Sequence, residues 1–471
     1  MKPRTYVTIL AVLLFATTRF AVATPLDDYV AAPDTNYSHR LVNTVTGPGY
    51  TAYILEMTSQ SWRSRDEVDR PLWKHWLTVI KPDNIVSDTA LLWITGGSND
   101  RDPPTNPDWM VTGIALKSKT VVAELRMVPN QPLVFPDGGG PRHEDGIIAY
   151  TFNKYIETGD KTWPLLLPMV KSAVRAMDTI QLQILSASKG RLNIKKFVVS
   201  GGSKRGWTTW LTAAVDTRVI AIAPAVIDVL NMDEQMKHHF SAYGFYSKAI
   251  EDYGEMNVFE RLDTPEGQAL IQYIDPYEYR SRYTIPKFLL NSSGDQFFLP
   301  DSAQFYFHDL PEPKYIRYVP NTDHGLEGSD AIESLFAFYA SILTGAPLPQ
   351  FTWKVTDDGA IEVKTQTQPK AVKLWQATNP KARDFRLETI GPVWTSTDIS
   401  SRGDGTYSAG VAEPEKGWTA FFVELTFDSG LGVSHKFTTQ VYVVPDTLPF
   451  AEKLSSEGTR TLDSVLLATE R

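Results

Sequence analysis

The chain has 471 residues, 42% of them hydrophobic and 11% aromatic, with 12 tryptophans, a net charge of -9 and no cysteine. That length supports two or three domains around substantial cores, and the negative balance argues against nucleic acid or an anionic membrane as a partner. The absence of cysteine excludes disulfides, thiolate metal sites and a cysteine nucleophile.

In chain order, Lys2 and Arg4 precede an apolar run from Tyr6 to Phe15, and Ala21-Val22-Ala23 has the small-x-small pattern of a cleavage site. This predicts a signal peptide over 1–23, cleaved near Ala23, and a secreted or periplasmic protein. The run is too short to span a bilayer and no later segment supplies about 20 uninterrupted apolar residues, so no membrane anchor is expected. Asn36-Tyr37-Ser38 and Asn291-Ser292-Ser293 match glycosylation acceptors, which matter only in a eukaryotic secretory pathway.

Tyr50 to Met57 and His75 to Ile80 read as paired strands, and Ala90 to Thr95 as a short strand ending in Gly96-Gly97. Strand and helix then alternate. Helices are predicted over 109–117, 147–156, 165–185 and 331–343, and strands over 121–125, 197–200, 219–227, 287–291 and 315–319. Such alternation predicts an α/β fold over 24–346, a mostly parallel sheet with helices on both faces. Within it, 228–282 breaks the pattern with a Met-, Tyr- and His-rich insertion, readable as a cap over the site or as a peripheral helical excursion. Beyond Gly345-Ala346-Pro347, residues 350–449 show short alternating strands: 351–355, 361–365, 371–376, 407–411, 419–427 and 436–444. With no helix in the pattern, they predict a small antiparallel β-sandwich. A tail over 450–471 completes the chain.

The candidate chemistry centres on FVVSGGSKRGWTTWLTAA, residues 197–214. A serine hydroxyl needs a base to take its proton and a tight strand-to-helix turn to present it, and Ser203 occupies such a turn. The nucleophile-elbow pattern G-x-S-x-G is met at Gly201 but missed at Arg205, with Gly206 one residue late. Downstream, KFLLNSSGD ends at Asp295 and YIRYVP runs into His324, both where loops leave strand ends. The order Ser203, Asp295, His324 is that of α/β-hydrolases, with serine as nucleophile, histidine as base and aspartate as its orienting group. Taken singly, Asp295 also reads as a turn residue and His324 as a loop histidine. The oxyanion hole would combine the N–H of Lys204 with one from the Gly97 loop. Arg205 reads as a substrate contact or as an ion-pair partner bracing the elbow. Glu144 and Asp145 could receive a substrate amine, Asp145 serving otherwise as a helix cap. Trp207 is a further candidate for contact with substrate. His238-His239 could touch substrate in a cap but do not form a metal pair, and no metal spacing or cofactor motif stands out.

TPLDDYV, WITGGSN, EDGIIAYTF, VVSGGSKRGWTTWLTAAVD and NTDHGL together resemble the PhoPQ-activated pathogenicity-related family, which includes autocrine proliferation repressors. The resemblance implies an α/β-hydrolase domain followed by a β-sandwich, export from the cytoplasm, and links to virulence or proliferation control. It implies hydrolase activity, with peptidase chemistry of the prolyl-oligopeptidase kind expected by analogy. The elbow is also similar to that of glucuronoyl and acetyl esterases, where a basic residue follows the serine as Lys204 does here. The expectation is a secreted serine hydrolase acting on peptide bonds, with esters as the second substrate class. The competing class is a secreted signal that works through a cell-surface receptor.

Overall fold

A computed structural model describes residues 23–430 and 432–452. The expected signal peptide lies outside the described residues except for Ala23, and so does the tail beyond residue 452. Helix α1 (Pro25–Ala31) opens this part of the chain, with Thr24 and Asp27 exchanging bonds in a capping box.

The central sheet begins with β1 (Ser38–Gly47), β2 (Tyr50–Ser61) and β3 (Leu72–Pro82), which pair antiparallel. β4 (Thr89–Ile94) leads through α2 (Trp109–Ser118) to β5 (Val122–Leu125), which lies between β3 and β4. A two-stranded excursion, β6 (Leu133–Val134) and β7 (Pro141–Arg142), precedes α3 (Glu144–Thr158) and α4 (Leu166–Ala187). Then β8 (Lys196–Gly202), α5 (Lys204–Val215) and β9 (Val219–Ala225) follow. Helices α6 (Met232–Tyr243), α7 (Glu251–Glu255) and α8 (Pro265–Ile274) form the insertion before β10 (Lys287–Ser292), β11 (Lys314–Val319) and α9 (Ala331–Thr344).

The strand order is β1-β2-β3-β5-β4-β8-β9-β10-β11, parallel from β5 onward. The parallel strands are apolar nearly throughout because both sheet faces are covered. One core joins α1, α3, α4 and α5 to one face and the other joins α2 and α9 to the opposite face. Sheet, helices and the serine turn after β8 make this an α/β-hydrolase fold. The order reverses between β4 and β8, so the loops leaving their carboxyl ends diverge and open a crevice there.

The C-terminal strands form two antiparallel sheets. β12 (Phe351–Val355) pairs with β13 (Ile361–Thr365), which pairs in turn with a later strand, β16. β14 (Ala371–Asn379) lies between β15 (Thr395–Asp398) and β17 (Trp418–Asp428), and β18 (Ser434–Thr438) and β19 (Tyr442–Val444) both pair with β17. β16 itself spans Thr406–Ala409. Three details differ from the expectation. The strand expected over 436–444 is broken into β18 and β19, because Thr439 N–H bonds Val423 O while its hydroxyl accepts from Val423 N. A short helix, α10 (Leu387–Ile390), interrupts a region expected to be all strand. β15 was not anticipated. These sheets are not separable appendages: Phe437 packs 5.4 Å from Phe288 of β10 and 4.5 Å from Tyr315 of β11.

Of the two glycosylation sequons, Asn36 is exposed, whereas Asn291 lies within β10 and is 3% exposed. Among the described residues, no helix is long and apolar enough to cross a membrane.

Candidate active site

Ser203 stands between β8 and α5 with φ 60° and ψ -132°, a left-handed conformation that a serine adopts only under constraint. Its N–H donates to Ala225 O of β9 at 2.9 Å, which ties the turn to the neighbouring strand. The missing second glycine of the motif has a geometric explanation. A Cβ on Gly206 would come within 2.7 Å of Ile227 Cγ2 and 2.9 Å of Ala225 O, so the close approach to β9 falls one position later than the pattern assumes. Lys204 is the first residue of α5, and its N–H has no intrahelical acceptor by position.

The Arg205 guanidinium is held by protein partners and lies against Gly96. Its Nε donates to Val128 O at 2.5 Å and its Nη2 to Glu144 Oε1 at 2.7 Å. Lys204 Nζ reaches Glu144 Oε2 at 2.8 Å and Asp145 Oδ2 at 3.0 Å from a side chain that is 6% exposed. Burial would raise the Glu144 carboxyl, but the Arg205 hydrogen bond and the charges of Lys204 and Arg205 bring it down to about 2. Glu144, Lys204 and Arg205 therefore form a brace linking α3, α5 and the loop after β5. Asp145 does not cap its helix as one reading held. His143 holds the N-cap position, and Asp145 instead accepts from Lys204 and from Tyr253 OH at 2.9 Å.

The loops after β10 and β11 bring Asp295 and His324 together. His324 Nδ1 lies 3.0 and 2.9 Å from the two carboxylate oxygens of Asp295, which is 4% exposed. Asp295 Oδ1 also accepts from Phe297 N–H at 2.8 Å, and His324 N–H donates to Gln296 Oε1 at 3.0 Å. The Phe297 ring lies against the imidazole with centroids 4.2 Å apart. The other imidazole nitrogen, Nε2, is buried and has no hydrogen-bond partner among the described residues, Ser203 Oγ included. Such contacts are often long in the absence of substrate and tighten when it binds.

Ser203 opens onto a cavity of about 50 Å³ that it shares with Lys204, Asp145, Trp207 and the Phe297-Phe298 pair. Trp207 is a wall of this cavity, 4% exposed, its indole N–H on Ile274 O. Most of the remaining wall comes from the insertion, through α6, α7 and the turn before α8, with Phe152 of α3 and Ile227 completing it, so part of 228–282 covers the serine. Gly97, φ 136°, lies on the β4 loop against Met127 and is not among the cavity's lining residues. That loop and the elbow nonetheless flank the β4–β8 crevice.

Three features escaped the sequence reading. Asp228, at the carboxyl end of β9, is another strand-end acid between serine and histidine. Its oxygens are taken by Tyr306 OH and by Tyr318 OH, the latter at 2.6 Å, and burial pushes its carboxyl up to about 7. Asp301 joins His238 of α6 at 3.1 Å to Arg383 of the C-terminal segment at 2.6 Å. Burial alone would raise Asp301, but Arg383 and His238 hold it well below the usual carboxylate range. The third feature is a clamp on the two loops. Leu387 N–H donates to Gly294 O at 3.0 Å, beside Asp295, while Asn321 and Trp394 exchange a reciprocal pair of 2.9 Å bonds beside His324. No sequence signal links residues 73 positions apart. Among the described residues, no cluster of three or more His, Asp or Glu is placed to hold a metal ion.

The family described as PhoPQ-activated pathogenicity-related protein matches residues 26–386. A curated relative, autocrine proliferation repressor protein A of Dictyostelium discoideum, is 39% identical over 472 residues, covering 94% of each chain. Among solved structures, an acetyl xylan esterase from Paenibacillus sp. R4 superposes with a TM-score of 0.48 at 15% identity, covering 68% of this chain and 91% of that one. An acylaminoacyl peptidase from Pyrococcus horikoshii gives 0.39 at 11% identity, covering 65% and 49%.

Proposed function

From the premise that the chain belongs to the PhoPQ-activated pathogenicity-related protein family, we propose that it is a serine hydrolase working through Ser203, His324 and Asp295. The observation that carries this reading is the Asp295–His324 pair, whose free Nε2 is buried at the same end of the sheet as a serine held at positive φ. A histidine oriented on one nitrogen and unpartnered on the other is equipped to move a proton.

In the proposed reaction Ser203 Oγ attacks the substrate carbonyl carbon as its proton passes to His324 Nε2. Asp295 holds the Nδ1 proton and stabilises the imidazolium that forms. The oxyanion is received by Lys204 N–H at the positive end of α5 and by the Gly97 loop across the crevice. Collapse expels the leaving group, which takes the proton from Nε2, and water then repeats the sequence on the acyl-enzyme. The side chains of Lys204 and Arg205 act through the brace, fixing the elbow, while the Lys204 backbone N–H meets the oxyanion. The substrate is an ester or amide, and the protein works outside the cytoplasm after loss of the leader ending near Ala23, a cleavage that N-terminal sequencing of the exported protein checks.

Labelling with a fluorophosphonate probe tests the reading. The native protein should label and Ser203→Ala should not; a folded native protein that fails to label would sink the enzyme reading. The name of the curated relative favours a second reading, an extracellular signal that represses proliferation. Full repression by Ser203→Ala would support a signalling role independent of catalysis.

A further inference from the structure

The cavity at Ser203 combines features that bear on what the acyl half of the substrate can be. Its walls are apolar: Trp207 and Phe152 from the sheet side, Met232 and Met236 from α6, and Leu262 and Phe298 from the flanking loops. Most are almost fully buried, with Phe152 at 1% and Leu262 at 2% exposed, so the shape is set by packed side chains rather than by mobile surface groups.

Its charges are already paired. Asp145 is the acidic group on the lining, and its two oxygens are engaged by Tyr253 OH at 2.9 Å and Lys204 Nζ at 3.0 Å. Lys204 is in turn bound by Glu144 at 2.8 Å. A substrate ammonium or carboxylate placed here would have to break one of these buried pairs or remain desolvated without a partner, and either is costly. A neutral hydrocarbon group meets no such cost.

The cavity is also small. At about 50 Å³ it has roughly a third of the ~150 Å³ apolar volume that accommodates benzene. On that scale it takes about two to four carbon atoms. The insertion supplies much of its wall, through Met232 and Met236 of α6, Tyr253 of α7 and Leu262.

We infer that this cavity is an acyl pocket selecting short, neutral aliphatic acyl groups of about two to four carbons, and that the 228–282 insertion sets the length limit. The inference rests on the serine hydrolase reading and narrows it toward short-chain esters. It also displaces the idea that Glu144 and Asp145 receive a peptide N-terminus, because the brace and Tyr253 already occupy them.

The test uses the full-length protein and p-nitrophenyl esters from acetate to palmitate. The kcat/KM should peak between acetate and butyrate and fall at least about tenfold by octanoate, since extra methylenes that find no room forfeit their binding. Propionate should be preferred at least about tenfold over the alanine ester, which has the same carbon skeleton with an added ammonium. Met236→Ala, which opens the α6 wall, should raise hexanoate and octanoate relative to propionate. Val229→Leu, which adds bulk at another lining residue, should depress butyrate relative to acetate, and it keeps the test intact if the first variant does not fold. A flat chain-length profile, an optimum at octanoate or longer, or a preference for the charged ester would overturn the inference while probe labelling of Ser203 still stood. Absence of both hydrolysis and labelling would instead overturn the hydrolase reading on which it rests.

Discussion

Replacing Asp295 with asparagine reverses the proton geometry at His324. In the native site Asp295 Oδ1 accepts from Phe297 N–H at 2.8 Å while Oδ2 stands 2.9 Å from His324 Nδ1. In Asp295→Asn the amide oxygen stays on the Phe297 N–H, because that donor requires an acceptor. The NH2 then falls on the Oδ2 position and donates to Nδ1. The imidazole must now carry its proton on Nε2, the nitrogen that has to accept from Ser203. Loss of the correct tautomer costs about 10⁴ in turnover, or roughly 5 kcal/mol of barrier. The fold is kept, since shape and the Phe297 contact survive. The assay is ester turnover by the native and variant proteins, with thermal melts confirming equal folding. An Asp295→Asn enzyme within about tenfold of native turnover would refute the proposed role of the pair.

Three further outcomes are expected. Glu144→Gln weakens the brace: a carboxyl lowered from 4.5 to about 2 corresponds to a ceiling of about 3 kcal/mol, which its 38% exposed side chain reduces to about 1–2 by screening. Because the folded-state value is depressed, this stability is present above pH 4.5 and lost as pH falls toward 2. The difference between native and variant melting temperatures should therefore shrink from pH 7 to pH 3. Asp228→Asn has the opposite sign. Its carboxyl is raised from 3.8 to about 7, so ionising it destabilises the fold progressively between those values, and the variant should melt above native at pH 8 with the gap closing near pH 4. Arg383→Met leaves the Asp301 carboxylate buried with His238 and the Gln304 amide but without its cationic partner, and should cost about 3–5 kcal/mol in calorimetry, whereas a loss below about 1 kcal/mol would show the pair to be incidental.

The legible parts of the molecule were those whose pattern is local. β12 and β13 fall on the predicted bounds because turn residues at 356–360 separate two alternating runs. β8, α5 and the serine between them were equally plain, since a continuous apolar run gives way to 3.6-residue periodicity across the glycines. β1 gave no such signal because it is an exposed edge strand with no buried residue along its length. Within the site, Asp295 and His324 could be placed by chain order and strand ends. Arg205 could not be assigned to brace or substrate until Glu144 was seen beside it, 61 residues away in sequence. The insertion's contact with the serine was equally out of reach, as its Met and Tyr residues read the same in a cap and in a peripheral bundle. Asp228 was invisible because nothing in sequence distinguishes a carboxyl held by two tyrosines from one held by histidine.

The clamp by Leu387 and Trp394 gives the molecule a schedule as well as a shape. Gly294 and Asn321 lean on partners that the ribosome makes later, and Arg383 reaches back to Asp301 in the same way. A nascent chain that has finished the whole parallel sheet still lacks the struts on the loops bearing Asp295 and His324. Those loops have their struts only once residues 383–394, between β14 and β15, have been made. On the proposed chemistry, a chain ending before residue 383 would carry Ser203, Asp295 and His324 with the loops of the last two unsupported.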